Sequence, residues 1–143
     1  IRIGMNSRLD TLQAAILLPK LKAFTEYELD NVNEVAKWYN NALKDSGVVL
    51  PSIKEGFISS WAQYTIQIES GRDEIQKKLE EHGIPSMVYY PKPMHKQGAF
   101  MDSYSADADC PVTNHLCKTV LSLPMHPYID VDTVNTIANV IIG

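Results

Sequence analysis

The sequence predicts an α+β fold, in which helices pack on a small, mostly antiparallel sheet. Apolar residues recur at intervals near 3.6 residues over the first third of the chain, which is typical of an amphipathic helix. Residues 62–68 instead alternate between apolar and polar side chains, as in a half-exposed strand of an antiparallel sheet. Short apolar runs then alternate with helical patterns, and this order favours segregated helices and strands.

The first element is a long helix from about Asn6 to Leu43. Its N-cap is either Asn6-Ser7 or Asp10-Thr11, since both offer a side-chain oxygen to free backbone amides. Pro19 lies inside the pattern and removes one backbone donor, so we expect a kink there or two helices that meet. Asp45-Ser46-Gly47 supplies turn residues and a glycine to end the helix. The apolar positions are Leu9, Leu12, Ile16, Leu21, Phe24, Val32, Val35, Tyr39 and Leu43.

Four short apolar runs predict strands, each ended by proline or by turn residues. They are Val48–Leu50, 62–68, Ile84–Tyr90 and Leu121–Leu123.

Three further helices are expected between and after these strands. One begins near Ser70 and ends at Gly83, and one covers Val112–Val120 with Pro111 at its first position. The last helix follows Asp130, a good N-cap, after a polar loop that extends from Pro91 to about Asp109.

The composition indicates one compact domain. The 143 residues are 45% hydrophobic and 21% charged, with a net charge of −4 and a pI near 5.5, so nucleic acid and anionic membranes are poor partners. We see neither a signal peptide nor a run of the roughly 20 apolar residues that span a bilayer, and we expect a soluble, cytoplasmic protein. Within one domain, 1–46 forms a helical segment and 47–143 an α+β core. The chain opens at Ile1 directly with a dense motif, so we expect a part of something longer.

The cysteines and two of the histidines favour ordinary structural roles. Cys110 and Cys117 lack the spacing of a redox or zinc motif. His82 suits the end of a helix, and His115 lies within one. We expect no metal site.

Two proline-bounded loops carry candidate binding residues. His95 follows Tyr89, Tyr90 and Lys92 in one loop, and His126 precedes Tyr128 in the other. Rigid loops often display binding residues, so these side chains could line a site for a hydroxylated ligand. Alternatively, the tyrosines pack at a sheet edge with their hydroxyls in water.

The opening segment gives a sharper signal. Asn6 and Arg8 lie at a helix entrance, where an amide and a guanidinium can bind a phosphate or a carboxylate. Ala14 and Ala15 allow another helix or subunit to approach closely. The alternative is that Asn6 caps the helix and Arg8 forms a structural ion pair.

Three blocks of the sequence together resemble one enzyme family. They are Gly4–Leu17 with the pattern G-x-N-x-R and Q-A-A, Tyr90–Gln97 with P-x-H, and Leu121–Pro127 with L-S-L-P-M-H-P. In this order they resemble the pyridoxal-phosphate-dependent sugar aminotransferases of the DegT/StrS family, fold type I. The N-S-R-L-D and M-H-P-Y segments are most similar to the branch that aminates UDP-N-acetyl-3-keto-hexuronic acids.

The resemblance implies a reaction and its cofactor. Members of this family use pyridoxal phosphate to transfer an amino group, usually from glutamate, to a keto-sugar nucleotide. The Schiff-base lysine belongs to an earlier, larger domain, so the resemblance implies that no catalytic lysine is present here, that this segment is the C-terminal domain, and that alone it neither binds the cofactor nor catalyses the reaction.

The resemblance also assigns roles to five residues. It implies a homodimer in which Asn6 reaches the cofactor phosphate of the partner subunit and Arg8 binds an anionic substrate group. His126 and Tyr128 would contact the sugar or its carboxylate, and His95 would lie near the substrate entrance.

Two other functions remain open. The missing lysine and the start without methionine also suit a non-catalytic binding or assembly module that reuses the fold. A histidine metal enzyme would need at least three convergent ligands, and no H-x-H or H-x₃-H spacing is present.

Overall fold

A computed structural model describes residues 8–100 and 108–143. Its elements follow the α+β order expected from the sequence. They are α1 (Thr11–Ala23), a π-helical segment (Phe24–Glu28), α2 (Leu29–Leu43), β1 (Tyr64–Gln67), α3 (Arg72–Glu81), two 3₁₀ turns (Met94–Lys96 and Gly98–Phe100), α4 (Pro111–Thr119), β2 (Val120–Leu123) and α5 (Val131–Ile142).

The long N-terminal helix begins at Thr11, because Asp10 and Gln13 form a capping box. The Asp10 side chain accepts from the Gln13 amide at 2.8 Å, and the Gln13 side chain accepts from the Asp10 amide. Asn6-Ser7, the other candidate cap, lies outside the described residues. Helix α1 continues through Pro19, so two helices do not meet there, and a kink at Pro19 stays a prediction. The hydrogen-bond pattern changes later, at Phe24–Glu28.

The sheet contains two antiparallel strands, with Tyr64 opposite Leu123 and Gln67 opposite Val120. Two of the predicted strands are wrong, because each of these segments forms only one isolated bridge. Residues 48–50 contribute a single bridge between Val49 and Gln67, and residues 84–90 a single bridge between Met87 and Ser122. Proline explains this, because Pro51 ends the first run and Pro85 removes a ladder donor from the second.

The core lies between the sheet and three helices. Helix α2 packs against α5, and α3 packs against both α5 and β2. The largest fully buried side chains are Tyr39, Tyr64, Leu43, Ile66, Leu79, Leu121, Val35 and Val134.

Helix α1 projects from this core with no buried residue. Its apolar side chains surround the helix, and Leu12 is 74% and Leu18 69% exposed. A helix that is apolar on all sides is ordinarily covered by other protein. None of the described helices is long and apolar enough to span a bilayer.

Candidate functional site

The candidate site is centred on the loop 124–128, which joins β2 to α5. His126 is exposed, and its Nδ1 accepts a hydrogen bond from the Tyr128 amide at 3.2 Å. The His126 and Tyr128 rings lie 6.3 Å apart. The structure therefore brings together two of the residues predicted to contact a sugar.

A buried carboxylate anchors one end of this loop to the long helix. Glu28 is only 3% exposed, and its Oε1 lies 2.5 Å from Lys20 Nζ. The Tyr128 hydroxyl donates to the same oxygen, and Lys20 Nζ lies 5.9 Å from the centre of the Tyr128 ring. The hydrogen bonds from Lys20 and Tyr128 hold the pKa of Glu28 below its ordinary value. The bond to Glu28, with a smaller effect of Tyr27, raises the pKa of Tyr128.

The other end of the loop is held by Tyr39 of α2. The Tyr39 hydroxyl donates to the Pro124 carbonyl at 2.9 Å, and the Tyr39 ring stacks on Tyr64 with centroids 4.8 Å apart. Burial raises the pKa of Tyr39, so its phenol stays protonated and remains a donor. A tyrosine hydroxyl therefore fixes each end of the loop: Tyr39 donates to Pro124 at its start, and Tyr128 donates to Glu28 at its end.

Two surface clefts flank the loop and share Pro85 and Pro124. The first has a volume of about 320 Å³ and is lined by Tyr89 together with Met125. The second has a volume of about 490 Å³ and is lined by His126. The two loops singled out in the sequence therefore meet at one surface, through Tyr89 and Met125.

Tyr89 and Tyr90 are partly exposed, at 42% and 68%, and their rings make an edge-to-face contact at 5.7 Å. His95 lies in the 3₁₀ turn that follows and is half-buried. Its Nε2 is buried and has no hydrogen-bond partner within the described residues. No hydrogen bond or ion pair in that part of the chain joins His95 to His126.

Arg8 lies at the opposite end of α1 from this loop. It is exposed, precedes the N-cap Asp10, and makes no ion pair within residues 8–100 and 108–143. Because an α-helix rises 1.5 Å per residue, Asp10 is about 15 Å from Lys20, the residue that contacts Glu28. Arg8 and Lys20 therefore lie near opposite ends of α1. Asn6 lies outside the described residues.

The lysines do not fit the covalent attachment of pyridoxal phosphate. Every lysine of the chain is described and exposed, and Lys20 is paired with Glu28. A lysine that forms a Schiff base is typically desolvated, so that its neutral amine is available. No step of a cofactor reaction can be assigned to these side chains.

The other two histidines and the two cysteines show no sign of a binding role. His82 Nδ1 lies 2.8 Å from the Lys78 carbonyl at the end of α3, and His115 Nε2 lies 3.4 Å from Glu69. Cys110 and Cys117 are unpaired thiols. No group of three or more metal-binding side chains occurs among the described residues.

Sequence reasoning missed Glu28, although a signal was present. The apolar positions Phe24 and Val32 are eight residues apart, and Glu28 occupies the position midway between them on the same helix face. A carboxylate at a position that should be buried requires a partner, which predicts an interaction without naming it. Tyr128, one hundred positions away, cannot be identified from spacing.

The profile of the DegT/DnrJ/EryC1/StrS aminotransferase family matches residues 1–142. The chain belongs to this family. Membership confirms the resemblance carried by the three sequence blocks, and the observed α+β fold with its long helix agrees with solved aminotransferase structures.

Similar aminotransferases of this family act on nucleotide sugars, as their names state. The chain is 45% identical over 137 residues to UDP-2-acetamido-2-deoxy-3-oxo-D-glucuronate aminotransferase of Pseudomonas aeruginosa. The alignment covers 96% of this chain and 37% of that protein. It is 38% identical to UDP-N-acetyl-3-dehydro-alpha-D-glucosamine 3-aminotransferase of Acidithiobacillus ferrooxidans, with 97% and 37% covered. The chain thus spans little more than a third of the length of these relatives.

Two solved aminotransferases have closely similar folds. A DegT DnrJ EryC1 StrS aminotransferase from Brucella abortus superposes with a TM-score of 0.86 at 46% identity, covering 99% of this chain and 37% of that one. S. venezuelae DesV, solved in complex with a ketimine intermediate, has a TM-score of 0.86 at 28% identity, covering 96% and 37%.

Proposed function

We propose that this chain is the C-terminal domain of a pyridoxal-phosphate-dependent aminotransferase. The full-length protein would transfer an amino group from an amino acid, glutamate in our proposal, to a keto-sugar nucleotide. A UDP-N-acetyl-3-keto-hexuronic acid is the proposed acceptor. The observation that carries this proposal is the 45% identity, over 96% of the chain, to an enzyme named for a UDP-3-oxo-glucuronate substrate.

Pyridoxal phosphate, when bound, would supply the electron sink that amine transfer needs. The lysine that holds it would lie in a domain outside this chain, because every lysine here is exposed. We therefore expect the isolated chain to be inactive and not to bind the cofactor. The comparisons do not favour the alternative of a non-catalytic module, since the matched relatives are named as aminotransferases.

The proposed roles of the chain's own residues concern binding and orientation. Asn6 would bind the cofactor phosphate of the partner subunit, and Arg8 an anionic group of the substrate. His126 and Tyr128 would contact the sugar or its carboxylate, and His95 would lie near the entrance. We propose a homodimer whose site is shared between the subunits.

We propose that 1–46 is the helical segment that enters the domain and that its helix α2 packs on the α+β core of 47–143, which carries the loop. We also propose that the enzyme works in the cytoplasm. The exposed apolar surface of α1 supports a large contact with the rest of the protein or with a second subunit.

The proposal is tested with the full-length protein that contains this segment. Purified enzyme is incubated with pyridoxal phosphate, glutamate and UDP-2-acetamido-2-deoxy-3-oxo-D-glucuronate, and 2-oxoglutarate and the amino sugar are measured by mass spectrometry. We expect stoichiometric formation of both products. The isolated chain should form neither, and borohydride should trap no stoichiometric pyridoxal phosphate adduct on it. A full-length protein inactive on every keto-sugar nucleotide tried would refute the proposal.

A further inference from the structure

We propose that Glu28 is a positioning residue of the substrate site, whose buried carboxylate fixes Tyr128 and thereby the loop that presents His126. The inference rests on the proposed function, because it assumes that His126 meets the sugar. It concerns a residue that the sequence blocks of the family resemblance do not include.

The first step concerns the burial of Glu28. A carboxylate that is 3% exposed is stable as an anion only when its oxygens are paired. Glu28 receives two donors from different parts of the chain, Lys20 Nζ from α1 and the Tyr128 hydroxyl from the loop. The cluster therefore joins the projecting helix, the π-helical segment and the loop at one oxygen atom.

The second step leads from Tyr128 to His126. The Tyr128 amide donates to His126 Nδ1 at 3.2 Å. Because Nδ1 accepts this hydrogen bond, we assign the neutral tautomer of His126 that carries its proton on Nε2. Nε2–H is then the donor available to a sugar hydroxyl or carboxylate oxygen. Fixing the Tyr128 side chain also fixes its backbone amide, and with it the tautomer and position of His126.

The third step distinguishes two roles of Glu28: positioning of His126 and attachment of α1 to the domain. Tyr39 already holds Pro124 at the start of the loop, and Tyr27 also interacts with the Tyr128 hydroxyl. If Glu28 served only to attach α1 to the domain, its loss would lower stability and leave substrate binding unchanged. If it positions His126, its loss must also weaken binding of the sugar, and only through Tyr128.

The test uses the full-length enzyme with Glu28→Met, Glu28→Gln, Tyr128→Phe and the double variant Glu28→Met/Tyr128→Phe. Glu26→Met is the matched control, because Glu26 lies in the same π-helical segment but is 56% exposed and pairs with Lys22 at 3.8 Å. Steady-state KM and kcat are measured separately for the keto-sugar nucleotide and for glutamate.

We expect Glu28→Met to raise the KM for the sugar about fivefold, the effect of one lost hydrogen bond, with kcat and the KM for glutamate unchanged. Glu28→Gln keeps an acceptor oxygen and should raise it less. The double variant should bind the sugar no more weakly than Tyr128→Phe, because Glu28 acts through that hydroxyl. The Glu26→Met control should match wild type.

Additive losses in the double variant, or a sugar KM for Glu28→Met equal to that of Glu26→Met, would overturn the inference. A crystal structure of the Glu28→Met enzyme gives a readout that needs no activity. A displaced His126 ring supports the positioning role, and an unmoved ring refutes it. Wild-type enzyme that is inactive on keto sugars would instead refute the proposed function, while the position of His126 would still decide the role of Glu28.

Discussion

Arg8 and His126 are the side chains proposed to meet the acidic part of the substrate. Arg8 precedes the start of α1, and His126 lies in the loop whose Tyr128 contacts Lys20 of that helix. Arg8 is exposed and makes no ion pair within the described residues. His126 is held by the Tyr128 amide. In the proposed homodimer, the two residues would belong to one site shared between the subunits.

We predict that Arg8→Lys weakens binding of an acidic sugar nucleotide about tenfold in the full-length enzyme, because a lysine cannot form the bidentate, charge-assisted pair with a carboxylate. Binding of UDP-N-acetyl-3-keto-glucosamine, whose sugar ring carries no carboxylate, should change much less. Calorimetric Kd values for both sugars check this, and Lys22→Arg serves as a control for a charge-conserving exchange at an exposed position of the neighbouring helix α1. Equal losses of affinity for both sugar nucleotides would indicate that Arg8 has a structural role.

Among the elements, α5 has the most direct connection to the site, because its N-cap closes the loop that carries His126. The Asp130 carboxylate accepts from the Thr133 amide at 2.8 Å. That backbone hydrogen bond, and a further one from the Thr133 hydroxyl, lower the pKa of Asp130. Helix α5 then buries Val134, Ile137 and Ile141.

We predict that Asp130→Ala lowers the unfolding temperature of the full-length protein by a few degrees, since a free amide at the helix start loses its acceptor. Asp130→Asn keeps an acceptor and should be milder. Asp132→Ala is the matched control, because Asp132 lies in the same first turn without capping it.

The pH dependence of this effect has a definite sign. A carboxylate whose pKa is lowered by folding stabilises the native state above its ordinary pKa, and the contribution is lost as the pH falls through the lowered value. The difference in unfolding temperature between wild type and Asp130→Asn should therefore be present at neutral pH and disappear in acid. Calorimetric scans over a series of buffers measure it, and a difference that grows in acid would contradict the capping role.

On the scale of the whole molecule, the uncovered helix α1 is the dominant feature. Five of its leucine and isoleucine side chains, together with the preceding Leu9, are half or more exposed: Leu9, Leu12, Ile16, Leu17, Leu18 and Leu21. A contiguous apolar surface of this kind is ordinarily an interface.

We predict that the isolated chain self-associates in light-scattering measurements at high concentration. The variant Leu12→Gln/Leu18→Gln should shift the mass toward the monomer with unchanged helical circular dichroism, because glutamine preserves helix propensity. Phe57→Gln/Ile58→Gln is the control, since these side chains are 68% and 77% exposed outside α1. A clean wild-type monomer would count against an interface on α1.

Local chemistry made much of the fold predictable. The caps at Asp10 and Asp130 and the proline at the start of α4 mark helix starts within a few residues, because their hydrogen bonds and dihedral angles involve near neighbours only. The period-two pattern likewise located β1. The strand expected at 84–90 failed, because strand pairing depends on a distant partner and Pro85 limits it to one bridge.

By itself, the sequence determined the fold class, most helix boundaries and, through three blocks in the right order, the family. Only the tertiary structure decided that Glu28 is buried against Tyr128 and that Tyr39 holds Pro124. The physical reason is how far apart along the sequence the interacting residues are. Capping and periodicity are set by residues within one or two turns, whereas a buried carboxylate finds its partner through packing of segments that are distant along the chain.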